Sequence, residues 1–300
     1  MKFTLDSAAL ERIFEAWNVP LPEKGQVLFA LRGCVAPAGR QALTGWTKSV
    51  RLETARPDFV HMRCAIGIWD RERSRLFVAP GSTVPHRDNV KKAAARPGKM
   101  KGRGTNQLEP GFYTDLTKGE HLQGKPQGHA ALRQTGYRFY RRALSFGRSA
   151  SPASPASPYT ERSPLFFGNP YDNLHCAWNV DPLTEGFRSA GCVVVAGWPH
   201  SPRLPDTAPS LNKNAGSWKI FHDLIYTAPQ KKFPLLLLPG EDVAKALGTK
   251  KPAARLVYGS RGDAVKALQR RLAARGLYKG RIDGRLGVGT YRAWNAAGLR

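Results

Sequence analysis

The chain has 300 residues and a mass of 33.0 kDa, room for one large domain and a small one. Its 41% hydrophobic content supports a packed core, and Lys+Arg 47 against Asp+Glu 22 leaves a net charge of +25. Such a field draws polyanions, yet the basic residues are scattered, and nothing in the sequence reads as a nucleic-acid-binding signature, a CxxC zinc spacing or a transmembrane run.

Asp6 to Trp17 reads as an amphipathic helix. Asp6 or Ser7 can cap it, Leu10, Ile13, Phe14 and Trp17 share one face, and Pro20 and Pro22 stop it. Gln26 to Arg32 is a strand. Phe59 to Trp69 and Leu76 to Ala79 form a hairpin that turns at Asp70 to Ser74. The basic, Gly-containing stretch from Arg87 to Gly104 is a loop. Glu109-Pro110-Gly111-Phe112-Tyr113 enters a strand, and Tyr137 to Phe146 makes another. Ser151 to Pro158 has proline every third residue, which suits a polyproline II segment. The stiff stretch from Ser151 to Pro164 is expected over or beside the surroundings of His175. Strand signals return at Leu165 to Phe167, near His175 and over Val193 to Ala196. Ser217 to Ile225 is a helix, Phe233 to Leu238 a fully buried strand, and Gly240 to Ala254 an Ala/Lys/Pro-rich linker. The order fits a mainly β sandwich or barrel with few helices.

The chemistry concentrates at Phe187-Arg188-Ser189-Ala190-Gly191-Cys192-Val193-Val194-Val195, with His175 seventeen positions before Cys192. A thiol on a Gly-containing turn before a β-branched run sits at the end of a buried element, where amide N–H groups can converge. A histidine that takes its proton makes it a nucleophile for acyl transfer. A lone cysteine is as often a small buried hydrophobe; Ser189, Gly191 and His175 together favour catalysis. This run resembles YkuD-type L,D-transpeptidases of the bacterial cell wall, whose signature is a histidine, a mid-teens spacer, then Ser/Thr-His-Gly-Cys. His175, Ser189, Gly191 and Cys192 match. Ala190 replaces the second histidine, and Val194 stands where an arginine or asparagine is usual.

Gly259-Ser260-Arg261-Gly262-Asp263-Ala264-Val265, with Leu268, Gln269 and Leu272, then Gly276-Leu277-Tyr278, Ile282-Asp283-Gly284, Leu286-Gly287 and Thr290, resembles the small helical peptidoglycan-binding module. Thr290 can cap its last helix. The two resemblances imply a YkuD-like β-sandwich or barrel catalytic domain plus an α-helical peptidoglycan-binding domain. They divide the chain into an N-terminal extension with a helix and a strand (1–58), a catalytic domain (59–243), a linker (244–254) and the binding domain (255–300).

The implied activity is an L,D-transpeptidase that cross-links stem peptides through a Cys192 acyl-enzyme, with His175 as general base. Ser189 holds the histidine or the turn, and the N–H groups of Ala190, Gly191 and Cys192 face the oxyanion. Arg188, Asn173, Tyr171 and Trp178 are candidates to line the cleft, although the last three can equally pack in the core. The Ala190 and Val194 departures point to donors joined from the first residue of one stem to the third of another. Neither a metal nor an organic cofactor is implied. The implied partner is peptidoglycan, its glycan strands and stem peptides, and the chain is expected to be a monomer at the periplasmic cell wall, its signal peptide trimmed. A hydrolase using the same thioester, or a non-catalytic wall-binding protein, are the alternatives. His200 is second choice for the base, while His86, His121, His129 and His222 read as surface or structural and Cys176 as packing. Cys34 and Cys64 either pair or stay free.

Overall fold

The computed structural model describes residues 1–36, 44–94, 105–143, 157, 159, 163–204, 212–250 and 252–299. The chain opens with Lys2–Asp6 (β1), Ser7–Ala16 (α1), Gln26–Arg32 (β2), Cys34–Val35 (β3) and Ser49–Thr54 (β4). Cys64–Asp70 (β5), Arg75–Ser82 (β6), Arg87–Ala94 (α2), Thr105–Leu108 (β7), Gly111–His121 (β8), His129–Gln134 (β9) and Arg138–Ala143 (β10) follow. Leu165–Gly168 (β11), Leu174–Cys176 (β12), Val193–Val195 (β13), Gly216–Thr227 (α3), Lys232–Pro239 (β14) and Gly240–Leu247 (α4) precede the closing helices Asp263–Ala274 (α5) and Val288–Ala296 (α6).

Among the described residues the fold is mainly β. Eight strands close a barrel in the order β12-β13-β6-β5-β2-β14-β8-β9, β12 meeting β9 through Leu174 and Leu132. The pairs β12–β13 and β2–β14 are parallel. Strand β2 explains why its sequence is a continuous apolar run. Leu28 and Ala30 join the cluster inside the barrel, while Val27, Phe29 and Leu31 pack outward with Leu10, Phe14 and Val243 of α1 and α4. The Asp6 carboxylate accepts the Ala9 N–H at 2.8 Å and starts α1 where the sequence signals it.

Several expectations are corrected. Residues 1–58 are not an extension, because β2 is a central barrel strand bonded to β5 and β14. The hairpin begins at Cys64, leaving Phe59 and Met62 to pack beside Cys192. Arg87–Ala94 is a helix; its Asp88 lies in the first turn and Lys91 and Lys92 in the last, which suits the helix dipole. Residues 95–104 lie outside the described residues, as does the proline-rich stretch apart from Ser157. The expected linker begins as α4, whose Val243, Ala244 and Ala246 are buried.

The C-terminal module is docked. A second sheet, β11-β10-β7, presents Phe139, whose ring stacks on Tyr291 at 4.3 Å among Val265, Leu268, Leu272 and Leu286. Tyr291 Oη donates to Glu109 at 2.9 Å, Ser260 Oγ to the Trp17 carbonyl at 2.7 Å, and the Arg261 N–H to the Asn18 carbonyl at 2.7 Å. Gln269, fully buried, accepts the Gly284 N–H at 2.9 Å and donates to Asp283 at 2.9 Å, tying the loop to α5. Thr290 does not cap α6. Gly287 holds that position, and Thr290 Oγ1 inside the first turn accepts from Gln269 at 3.1 Å.

Candidate active site

Two short strands bring the cysteine and histidine together. In the parallel pair β12–β13, Leu174 lies opposite Val193 and His175 opposite Val194. Alternation sends Leu174, Cys176, Val193 and Val195 into the barrel cluster. Cys192, Val194 and Ala196 therefore share the other face, where they pack with Phe59, Met62, Val84, Tyr159, Ala177 and Phe187. His175 has the same parity as Val194. A ring nitrogen of His175, a ring nitrogen of His121 and Cys192 Sγ lie within 4.8 Å of one another.

The turn carrying the thiol is braced from three sides. Ser189 Oγ donates to the Cys192 carbonyl at 2.8 Å and accepts the Gly191 N–H at 3.1 Å. The Ser189 carbonyl accepts the His86 N–H at 2.9 Å and Asn89 Nδ2 at 2.7 Å, and the Ala190 carbonyl accepts the Asn106 N–H at 3.0 Å. Gly191 has φ +152°, and a Cβ there would lie 2.7 Å from both Asp172 carboxylate oxygens, so the position requires glycine. Ser189 thus holds the turn and not the histidine. The Gly191 N–H, committed to Ser189, leaves the expected set of oxyanion donors. The N–H groups of Asn173 and of Cys192 itself face Sγ.

Hydrogen-bond direction fixes the imidazoles. A carbonyl only accepts, so His175 donates its Nδ1–H to the Cys176 carbonyl at 2.7 Å and keeps Nε2 bare as a proton acceptor. By the same reasoning His129 donates Nδ1–H to the Gln127 carbonyl at 2.7 Å. Its Nε2 lies 3.4 Å from His175 Nδ1. The Gln134 N–H donates to Asn173 Oδ1 at 3.0 Å, so Asn173 Nδ2 is the donor toward His121 Nδ1, 3.0 Å away. His121 then carries its proton on Nε2. Its ring stacks on His175 at 4.1 Å, 11° from parallel.

Burial sets the charges. His175 is held well below the usual imidazole range by burial and then by His121 and His129. Burial and His129 bring His121 to about 4, and burial lowers His129 as well. Burial pushes the Cys192 thiol up, and Asp172 pushes it further. The resting pair is a neutral thiol beside a neutral imidazole. Asp172, buried with Oδ2 unpartnered, is raised to about 7 by burial against the pull of Asn106, Arg138 and Arg142.

The other candidates fall on both sides of this centre. Asn173 is buried and orients His121. Arg188 is exposed, its guanidinium 4.7 Å from the Trp178 ring centroid, and Trp178 meets His129 edge-on at 5.3 Å. Tyr171 is 68% exposed, with no place in the core. His200 is exposed and bonded to the Asn212 carbonyl at 2.8 Å, outside the imidazole cluster. Tyr159 packs beside Cys192, its Oη donating to Thr105 at 2.9 Å. Cys34 and Cys64 are buried free thiols. His121, His175 and Cys192 carry donor types that suit zinc. Stacked parallel rings, however, send their in-plane lone pairs side by side, and a metal would require one ring to turn.

His121 and His129 both pack into the imidazole cluster, His129 buried and His121 half-buried, so neither is a surface group. They are cross-strand partners at the turn end of the β8–β9 hairpin. The signal was present: two histidines flank Gln123-Gly124-Lys125-Pro126-Gln127-Gly128, a turn-rich stretch that pairs its ends. Asp172 and Asn106 gave no sequence signal, since only the folded turn brings them beside Gly191. Compared with known proteins, the chain gives no significant match to a family model, a curated protein or a solved structure.

Proposed function

We propose that the protein is a cysteine acyltransferase that cross-links peptidoglycan stem peptides, as its resemblance to L,D-transpeptidases implies. The observation that carries this reading is the Cys192 thiol on a braced glycine turn, within 4.8 Å of a histidine whose Nδ1–H is fixed on a carbonyl. Cys192 Sγ attacks a donor carbonyl as its proton passes to His175 Nε2. The S–C bond forms, the amide C–N bond breaks, and the departing amine takes that proton. An acceptor amine then attacks the thioester, its proton moving to His175 and back to the thiolate. The docked helical module and the net charge of +25 suit work at an acidic wall surface, outside the cytoplasm.

Product analysis of purified muropeptides tests the reading. Cross-linked dimers with the native chain and none with Cys192→Ala are expected. Shortened monomers would identify a hydrolase, and an unchanged digest would remove the enzyme reading. Ala190 and Val194 leave the turn without groups to grip a stem carboxylate, so linkages from first to third residue are proposed. Tandem mass spectrometry finding only third-to-third linkages would make both departures neutral.

A further inference from the structure

We infer that His121 is the side-chain donor that binds the oxyanion formed when Cys192 attacks a carbonyl, a role that rests on the acyl-transfer reading above. Ser189 Oγ takes the Gly191 N–H at 3.1 Å, which leaves the turn one expected donor fewer. His121 brings a ring nitrogen within 4.8 Å of Cys192 Sγ and of a His175 nitrogen. Its Nδ1 is held by Asn173 Nδ2 at 3.0 Å, so Nε2–H is the group left to meet a substrate. Of the three clustered imidazoles it is the least buried, the other two being fully buried. Displacement of its pKa to about 4 keeps it a neutral donor at neutral pH.

The roles divide cleanly. As Sγ bonds to the carbonyl carbon, the carbonyl oxygen takes the electron pair and receives the His121 Nε2–H bond. The thiol proton goes to His175 and then to the leaving group as the C–N or C–O bond breaks. His121 keeps its proton throughout, and the Cys192 N–H, which faces its own Sγ, is the second donor.

Two small probes separate this role from a structural one, using the full chain. Acylation by p-nitrophenyl acetate passes through an oxyanion, whereas alkylation by iodoacetamide displaces iodide and forms none. His121→Ala is expected to slow the Cys192-dependent burst of p-nitrophenolate about 100-fold, the cost of losing one oxyanion donor. Alkylation of Cys192, read by peptide mass spectrometry, should change far less than the burst, because it uses the thiol and His175 but forms no oxyanion. His121→Gln, which offers an amide N–H, should recover about tenfold of the burst. Parallel loss of both rates would make His121 a support for His175 and overturn the inference, as would an undiminished burst. A native chain with no burst beyond that of Cys192→Ala would instead overturn the acyl-transfer reading, and this inference with it.

Discussion

At the residue scale, the site is a thiol surrounded by groups that resist charge. Asp172 is the clearest case. Its carboxyl is raised from the usual value near 4 to about 7, so its folded state binds a proton more tightly than its unfolded state. The stability this gives is complete below about pH 4 and is lost as pH rises through about 7. The depressed histidines act oppositely: unfolding takes up their protons below about pH 6.5, so stability falls on acidification. Comparing Asp172→Asn with the native chain isolates the first effect. The thermal midpoint of the variant relative to native should rise between pH 4 and pH 7, and a pH-independent difference would show that Asp172 does not titrate there. The same substitution removes the negative charge that raises the thiol, so Cys192 should alkylate faster at pH 8, because its thiolate fraction rises about tenfold for each unit its pKa falls. The closeness of Cys192 and His175 was legible in the local turn motif and its short spacing to the histidine. Asp172 was not, because its effect depends on a close approach to Gly191 that no spacing encodes.

At the element scale, the strands were legible wherever alternation or a long apolar run marked them, as in β2 and β14. The helix α2 was missed because its composition is basic and its apolar content low, although its terminal charges followed the dipole. The linker was misread for a related reason: Ala and Lys suit a helix as well as a tether, and the buried Val243 and Ala246 decide between them. The docking of the module was invisible because it depends on Phe139 meeting Tyr291 across 152 positions of sequence. Tyr291→Ala should cost about 3–5 kcal/mol, since it removes a buried aromatic side chain and leaves Glu109 without its hydroxyl donor. Urea unfolding should still show a single transition, shifted to lower concentration. Two separated transitions would mean that the module and barrel unfold independently. The thiol also lies under its neighbours, so Tyr159→Ala should speed iodoacetamide alkylation of Cys192; an unchanged rate would show that Tyr159 does not limit access.

At the scale of the whole molecule, a barrel and a docked helical module carry a net charge of +25. Long-range attraction of that kind is screened within about 10 Å at 0.1 M salt. Retention on insoluble sacculi should therefore fall as salt rises from low to about 0.5 M, whereas turnover of small soluble muropeptides should change little. Equal salt sensitivity of both would place the charge effect at the site itself. Among the described residues no helix is long and apolar enough to cross a membrane. The central claim is that Cys192 forms an acyl-enzyme with a stem peptide. Intact-mass spectrometry of the acid-quenched chain, mixed with a donor muropeptide and no acceptor, tests it most directly. A covalent adduct is expected that maps to the peptide containing Cys192, is released by hydroxylamine and is absent from Cys192→Ala. An adduct of equal yield on Cys192→Ala, or none on a native chain that forms cross-links once acceptor is added, would contradict the claim.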